Sequence, residues 1–274
     1  MGRVVNIGCQ DFEQIRLHQD FYIDKTSFIK EWWENRDAVT LITRPRRFGK
    51  TLTMDMIEKF FSVQYANRGE LFEGLSIWKE DYYQKLQGTY PVIFLSFAGM
   101  KGSEYQVVCY GICELLIQLF RANAFLLKSD CLLEAEKEEF EEFCRSIPEV
   151  SAPEALKKLT GYLYRYYGKK VIILLDEYDT PMQDAYVNSY WEEIIFFIQR
   201  FFHAAFKTNP YLERAILTGV TRISKESIFL DLNNLEVVTT TSRKYADKFG
   251  FTEHEVFAAL KEYELFHQRH FVSL

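Results

Sequence analysis

No stretch of the chain supplies the roughly 20 consecutive apolar residues that a membrane-spanning helix needs. The N-terminus likewise has no apolar core of the kind a secretory signal carries. An excess of positive charge is missing too. Lys and Arg total 33 against 39 Asp and Glu, a formal net charge of −6, so the chain as a whole is not built to bind a polyanion and any basic site has to be local. Cysteine is sparse. The five residues, Cys9, Cys109, Cys113, Cys131 and Cys144, lack the even count and regular spacing of a disulfide framework. Cys109 and Cys113 are four apart on an apolar helical pattern, but no His or second Cys pair completes a ligand set, so they read as core thiols. Repeats and low-complexity linkers are absent. These absences point to a soluble protein of a reducing, cytoplasmic compartment.

What is present is ordinary globular composition, 48% hydrophobic and 26% charged over 274 residues, enough for one large domain or two small ones. Short β-branched apolar runs predict strands at 38–43, 90–97, the "VIILLDEYD" run, the "RAILTGV" run and the "LEVVTTT" run. Helical spacing predicts helices after Thr51 (Leu52, Met56, Ile57, Phe60), over 105–127, over 134–144 with an acidic exposed face, from Pro153 to near Gly168, and over 191–207. Residues 1–37 are polar with aromatic insertions. Strands separated by helices imply a mainly parallel α/β sheet.

The first strand runs into "TRPRRFGKT" and then a helix, the context a phosphate-binding loop requires. Gly49, Lys50 and Thr51 fit the end of G-x-x-x-x-G-K-[ST], but Arg44 stands where the first glycine should be. A left-handed backbone at Arg44 would cost about 1–2 kcal/mol, and Pro45 biases it toward an extended conformation, so the loop has to turn differently. Gly49 would let the backbone approach phosphate oxygens, Lys50 would reach the β- and γ-phosphates, and the Thr51 hydroxyl would sit on Mg²⁺. Arg44, Arg46 and Arg47 either compensate electrostatically or point to solvent. From these residues alone, a nucleotide site with an altered loop and a chance match both stand.

Two further elements bear on the choice. The buried run "VIILLDEYD" puts Asp176 and Glu177 at the C-terminal edge of a strand, where open α/β sheets bind ligands. Asp176 suits Mg²⁺ and Glu177 suits orienting or deprotonating a water; the plainer alternative is that both acids end a strand and cap the next turn. In "LTGVTRISKES", Thr218 ends the fourth strand, where it could sense the γ-phosphate or hold the water, with Arg222 and Lys225 just beyond. Either cation could neutralise developing charge, or both are surface residues of a loop.

The blocks "DFEQIR", "FYIDKTSFIKEWW", "TLITRPRRFGKTLTMDMIEKFF", "LFEGLSIW", "YPVIFLSF", "VIILLDEYDTPMQDAY" and "AILTGVTRISKESIFLDLNNLEVVT" occur in that order. Together they resemble the AAA-ATPase-like family of bacterial P-loop NTPases, often fused to a C-terminal PD-(D/E)XK nuclease-like domain. The glycine-less RPRRFGK[ST] form looks like that family's own phosphate loop. The resemblance implies an α/β P-loop NTPase (RecA/AAA-like) three-layer sandwich with a five-stranded sheet of order 5-1-4-3-2. It divides the chain into an N-terminal segment near the nucleotide (1–37), an ATPase core (38–245) and the start of a helical segment (246–274).

It further implies ATP and Mg²⁺ as cofactors, with Arg44, Pro45, Arg46, Arg47, Phe48, Gly49, Lys50, Thr51 and Leu52 at the nucleotide, Thr51 and Asp176 on the metal, and Glu177, Asp176, Thr218 and Arg222 in catalysis. ATP over GTP rests on the resemblance, since no guanine-reading motif is apparent. Tyr22, Asp24, Lys25 and Thr26 match a family block expected near the base; Tyr178, Asp179, Thr180 and Pro181 also match, as a structural turn or a catalytic contact. Hydrolysis driving a conformational change is the expected output. The alternatives are a nucleotide-dependent switch with little turnover, or the regulatory part of a nucleic-acid-processing system. A protein partner or a homo-oligomer is compatible with the family, nucleic acid only indirectly, and a membrane not at all. The sequence stops at Leu274, shortly after "FGFTEHEVFAAL", and holds no D-(x)n-E-x-K arrangement on strands, so nuclease activity is not carried over and the helical segment is expected to be cut short.

Overall fold

The apolar run at 171–176 forms an interior strand of the sheet, with every one of its residues buried. In the computed structural model, which describes residues 2–221, 228–229 and 232–265, the chain divides into two compact units. One comprises Asp37–Thr43 and Thr89–Thr239; the other comprises Met1–Arg36, Arg44–Gly88 and Thr240–Leu274.

The first of these units holds the whole sheet: β1 (Val39–Thr43), β2 (Val92–Ser96), β3 (Val171–Asp176), β4 (Leu212–Gly219) and β5 (Leu235–Val238). All its pairings are parallel and the order is β2-β3-β4-β1-β5, the expected 5-1-4-3-2 read from the other edge and consistent with a P-loop NTPase-like fold. Burial follows position in the sheet. Every residue of β1 and β3 is buried, whereas the edge strands β2 and β5 are partly exposed, as expected when helices cover central strands on both faces. Register brings Ser96, Asp176, Thr218 and Thr43 to one C-terminal edge: Ser96 pairs with Asp176, Leu175 with Leu217, Ile42 with Thr218 and Thr43 with Gly219.

The same unit carries α5 (Tyr105–Ala122), α6 (Glu134–Phe143), α7 (Ala152–Tyr167), α8 (Thr180–Asn188) and α9 (Trp191–Phe202). The long apolar helix expected over 105–127 stops at Ala122, where Asn123 caps it and a 3₁₀ turn takes over at Ala124–Lys128. The acidic α6 is not a purely solvated helix. Its Phe140 and Phe143 are buried edge-on against Phe120 at 4.8 and 5.2 Å between ring centres. The helix expected over 191–207 becomes α9 followed by a π turn at His203–Lys207. Cys109 and Cys113 lie buried in the apolar core, as expected of core thiols. The helix α8 was not foreseen, because Pro181 near its start reads as a turn, although proline is well tolerated in the first helical turn.

The second unit contains α1 (Phe12–Leu17), α2 (Ser27–Asn35), α3 (Lys50–Phe61), α4 (Asp81–Leu86) and α10 (Glu253–Glu262). Its core is aromatic. Phe12, Phe28, Trp32, Phe60, Phe61 and Phe72 are fully buried, several in edge-to-face pairs such as Phe60–Phe61 and Phe60–Phe72. A polar cluster joins α1 to α3. Asp55 accepts from the Phe12 amide at 2.6 Å and from Lys59 Nζ at 2.6 Å, and Lys59 also lies 3.3 Å from Asp11.

Glu58 shares this part of α3. Burial first, and the charge on Asp55 second, push its carboxyl up to about 7, with Lys59 offsetting part. A folded pKa above the unfolded one stabilises the fold fully only below the unfolded value, and the contribution is lost as pH rises through about 7. Glu58→Gln is therefore expected to leave stability at pH 4 nearly unchanged and to raise it at pH 8 by about 2 kcal/mol. Denaturant titrations at the two pH values check this; equal effects at both would contradict it.

Candidate functional site

The phosphate-loop half begins one residue after β1. Arg44 does not adopt a positive φ; the left-handed residues are Arg47 at φ +68° and Gly49 at φ +74°. The reversal that a glycine at position 44 would make is thus displaced three residues along. Lys50, the first residue of α3, is buried, and its Nζ donates to the carbonyls of Arg44 at 3.0 Å and Pro45 at 2.9 Å. The amine ties the start of the loop to its end. Thr51 and Leu52 are half-buried in the first turn of α3, while Pro45, Arg46, Arg47, Phe48 and Gly49 are exposed.

Arg44 turns inward. Its guanidinium is buried, donates to the Tyr245 carbonyl at 3.4 Å and lies over the Phe249 ring at 5.8 Å. Burial holds its pKa below the usual arginine value. Of the three loop arginines only Arg46 and Arg47 face solvent.

A concave pocket of about 290 Å³ opens beside Gly49, with Val5, Phe21, Ile23, Phe48, Leu52 and Phe251 among its apolar walls. Its polar lining residues are Asn6, Cys9, Tyr22, Lys25, Arg47, Thr53 and Lys248, and among the described residues no carboxylate lines it. The walls come from three separated stretches of chain, and specific bonds bring them together. Lys25 Nζ donates to both Glu255 oxygens at 2.6 and 2.7 Å and to the Asp247 carbonyl at 2.6 Å. Despite partial burial, the hydrogen bonds from Lys25 and the Thr252 amide hold the Glu255 carboxyl below its usual range. The Gly250 amide donates to the Phe48 carbonyl at 3.0 Å, and a Cβ at Gly250 would come within 2.8 Å of the Phe48 ring. Asp24 accepts from the Thr26 amide and hydroxyl and from the Ser76 amide at 2.6–2.8 Å. In the Tyr22–Thr26 block, then, Tyr22 and Lys25 face the pocket, while Asp24 and Thr26 fasten the segment to the 3₁₀ turn at Ser76–Lys79.

The carboxylate half lies on the sheet edge. Asp176, ending β3, is buried; its Oδ1 accepts the Thr218 hydroxyl and, at 3.1 Å, the Glu177 amide. Glu177 is half-buried in a left-handed conformation, φ +53°, which costs a non-glycine residue about 1–2 kcal/mol. Its Oε2 accepts from Thr180 Oγ1 at 3.2 Å. The structure thus brings Asp176, Glu177 and Thr218 together. Arg222 and Lys225 lie outside the described residues.

Tyr178 and Asp179, whose role the sequence left open, grip the exit of β4. Tyr178 donates its amide to the Thr218 carbonyl at 3.0 Å and its hydroxyl to the Thr221 carbonyl at 2.7 Å. No pattern in the sequence marks this, since the contacts span about forty residues. The glycine at 219 is the one available signal: a Cβ there would lie 2.6 Å from both Asp179 Oδ1 and Tyr178 Cε1.

Glycine removes the penalty of a left-handed backbone. Arg47→Gly and Glu177→Gly are each expected to raise the melting temperature by about 2–4 °C, equivalent to about 1 kcal/mol. Thermal unfolding of the two single variants checks this; a lower melting temperature for both would show that the side chains contribute more than the backbone strain costs.

Residues 6–229 match the family described as AAA-ATPase-like, "Predicted AAA-ATPase". A relative from Azotobacter chroococcum mcd 1, described as an uncharacterized protein in the vnfD 5' region, is 30% identical over 253 residues. That match covers 91% of this chain and 43% of the relative, so the chain spans less than half of that protein's length.

Proposed function

Because the chain belongs to the AAA-ATPase-like family, we propose that it binds ATP with Mg²⁺ and hydrolyses it, using the energy to change conformation. The observation that carries this is the pairing, in one compact unit, of Lys50 at the start of α3 with an apolar pocket that opens beside Gly49. A nucleotide needs an anion site and a neighbouring apolar slot, and helix N-termini and concave apolar pockets supply these. A pocket without a lining carboxylate suits adenine better than guanine, whose N1–H and exocyclic amine call for acceptors.

Lys50 leaves the Arg44 and Pro45 carbonyls to meet phosphate oxygens, and the Gly49 backbone allows their close approach. Phe48 and Phe251 flank the base. The oxygen donors suit Mg²⁺, a hard cation that takes one or two carboxylates and completes its shell with phosphates and water. Among the described residues no cluster of three or more His, Cys, Asp or Glu forms a cage of its own. Asp176 and Thr51 would hold the metal, and bound there it would neutralise charge on the phosphates. Glu177 would orient and deprotonate the attacking water, and Thr218 would fix the Asp176 carboxylate through its hydroxyl. These groups serve one nucleotide in our proposal; the loop starts at Arg44, directly after Thr43, the register partner of Gly219.

Phosphate release from ATP and nucleotide binding test the proposal separately. Lys50→Ala is expected to abolish both. Glu177→Gln is expected to keep binding and to lower turnover by about 10³-fold or more. Phe251→Ala is expected to weaken binding about tenfold through lost stacking. Equal turnover in wild type, Lys50→Ala and Glu177→Gln would overturn the ATPase assignment. Tight binding without wild-type turnover would instead mark a nucleotide-dependent switch.

A further inference from the structure

Asp179 is almost completely buried, at 1% exposure, and has no part in the metal and water roles assigned above. A buried carboxylate is costly unless several donors surround it. Here Oδ2 accepts from the Val220 amide at 3.0 Å, the Thr221 amide at 2.7 Å, the Thr221 hydroxyl at 2.6 Å and the Gln183 amide nitrogen at 2.6 Å. Gln183 also donates to the Thr221 hydroxyl at 3.0 Å. With the two bonds from Tyr178, the backbone of 218–221 is held from residues 178–179 along its whole length. At Gly219 the approach is so close that no side chain fits.

This grip connects two pieces of the candidate chemistry. Asp176 ends β3 and Glu177 begins the turn after it; Thr218, next to last in β4, donates its hydroxyl to Asp176 Oδ1. A shift of the β4 exit would withdraw that hydroxyl from the Asp176 carboxylate. A shift of the turn would move Glu177 out of its left-handed conformation. Simple loop stabilisation does not need a buried charge, because backbone bonds would serve; an anion that gathers two adjacent amides and a hydroxyl fixes direction as well as position.

The geometry points to Asp179 as a positioning residue for ATP hydrolysis. It locks the β4 exit to the β3 turn so that Thr218, Asp176 and Glu177 keep one arrangement, and Thr221 is its principal partner. This inference rests on the ATPase reading above. Its own content is that breaking the grip slows turnover and leaves nucleotide affinity alone.

The test compares wild type, Glu177→Gln, Asp179→Asn, Thr221→Val and Thr221→Ser in steady-state ATP turnover, ATP binding and thermal unfolding on the full chain. Asp179→Asn is expected to lower kcat about 100-fold with KM and affinity within about threefold. Thr221→Val, which removes one donor, is expected to lower kcat about tenfold, and Thr221→Ser to recover most of that loss. If Asp179→Asn does not fold, the Thr221 pair carries the test. Turnover at the wild-type rate in Asp179→Asn or Thr221→Val would overturn the role. So would a parallel fall of kcat, affinity and melting temperature, the mark of a purely structural residue. A wild type that releases no phosphate would remove the role together with the ATPase reading, whereas an active wild type with indifferent variants would remove the role alone.

Discussion

The amine of Lys50, set on the carbonyls of Arg44 and Pro45, is the contact on which the phosphate-loop half depends. Without a glycine at the first position, the loop has no cheap way to reverse where it leaves β1. The reversal moves to Arg47 and Gly49, and a cation at the helix start draws the early carbonyls back toward the helix. One charged group then does two jobs. It shapes the loop, and in the function proposed above it is the group that would exchange carbonyl oxygens for phosphate oxygens. The loop is held open by the same residue that would close on a ligand, so its geometry is prepared before any ligand arrives.

Around that contact the molecule concentrates conformational cost where chemistry is expected. Arg47 and Glu177 are both non-glycine residues in left-handed conformations, one in the exposed loop and one at the carboxylate edge. Strained backbones persist where the surroundings over-determine them. At Glu177 those surroundings are Asp176 Oδ1 on its amide and Thr180 on its carboxylate. At Arg47 they are the Lys50 bonds before it and α3 after it.

Much of the sheet could be read from sequence because its strands are continuous β-branched runs and central parallel strands need no polar face. "VIILLD" admits hardly any other reading. Strand order came from resemblance, since periodicity says nothing about which strands are neighbours. The helix α2 was missed although its signal is present: Phe28, Ile29, Trp32 and Trp33 recur at helical spacing and are all buried. Candidate site residues could be named from sequence where they sit in one contiguous motif, as at Gly49–Thr51 and Asp176–Glu177. The site was illegible where long-range hydrogen bonds decide the role. Arg44 reads as a phosphate ligand by its neighbours in sequence, yet Tyr245 and Phe249 draw it into the interior. Asp179 reads as a turn residue, yet its partners are Val220 and Thr221. No local pattern encodes such pairings.

The pocket beside Gly49 has a consequence for how the chain is made. Its walls include Phe21 and Leu52 from early in the chain and Lys248, Gly250 and Phe251 from near residue 250. During synthesis the early stretches emerge long before the last wall exists, and the contacts that seat that wall, Lys25 to Asp247 and Glu255, span more than 200 residues. Such distant pairings form late, because loop closure must precede any gain from them. A nascent chain therefore displays a basic loop without its apolar slot, and the slot is completed as one of the last events of folding.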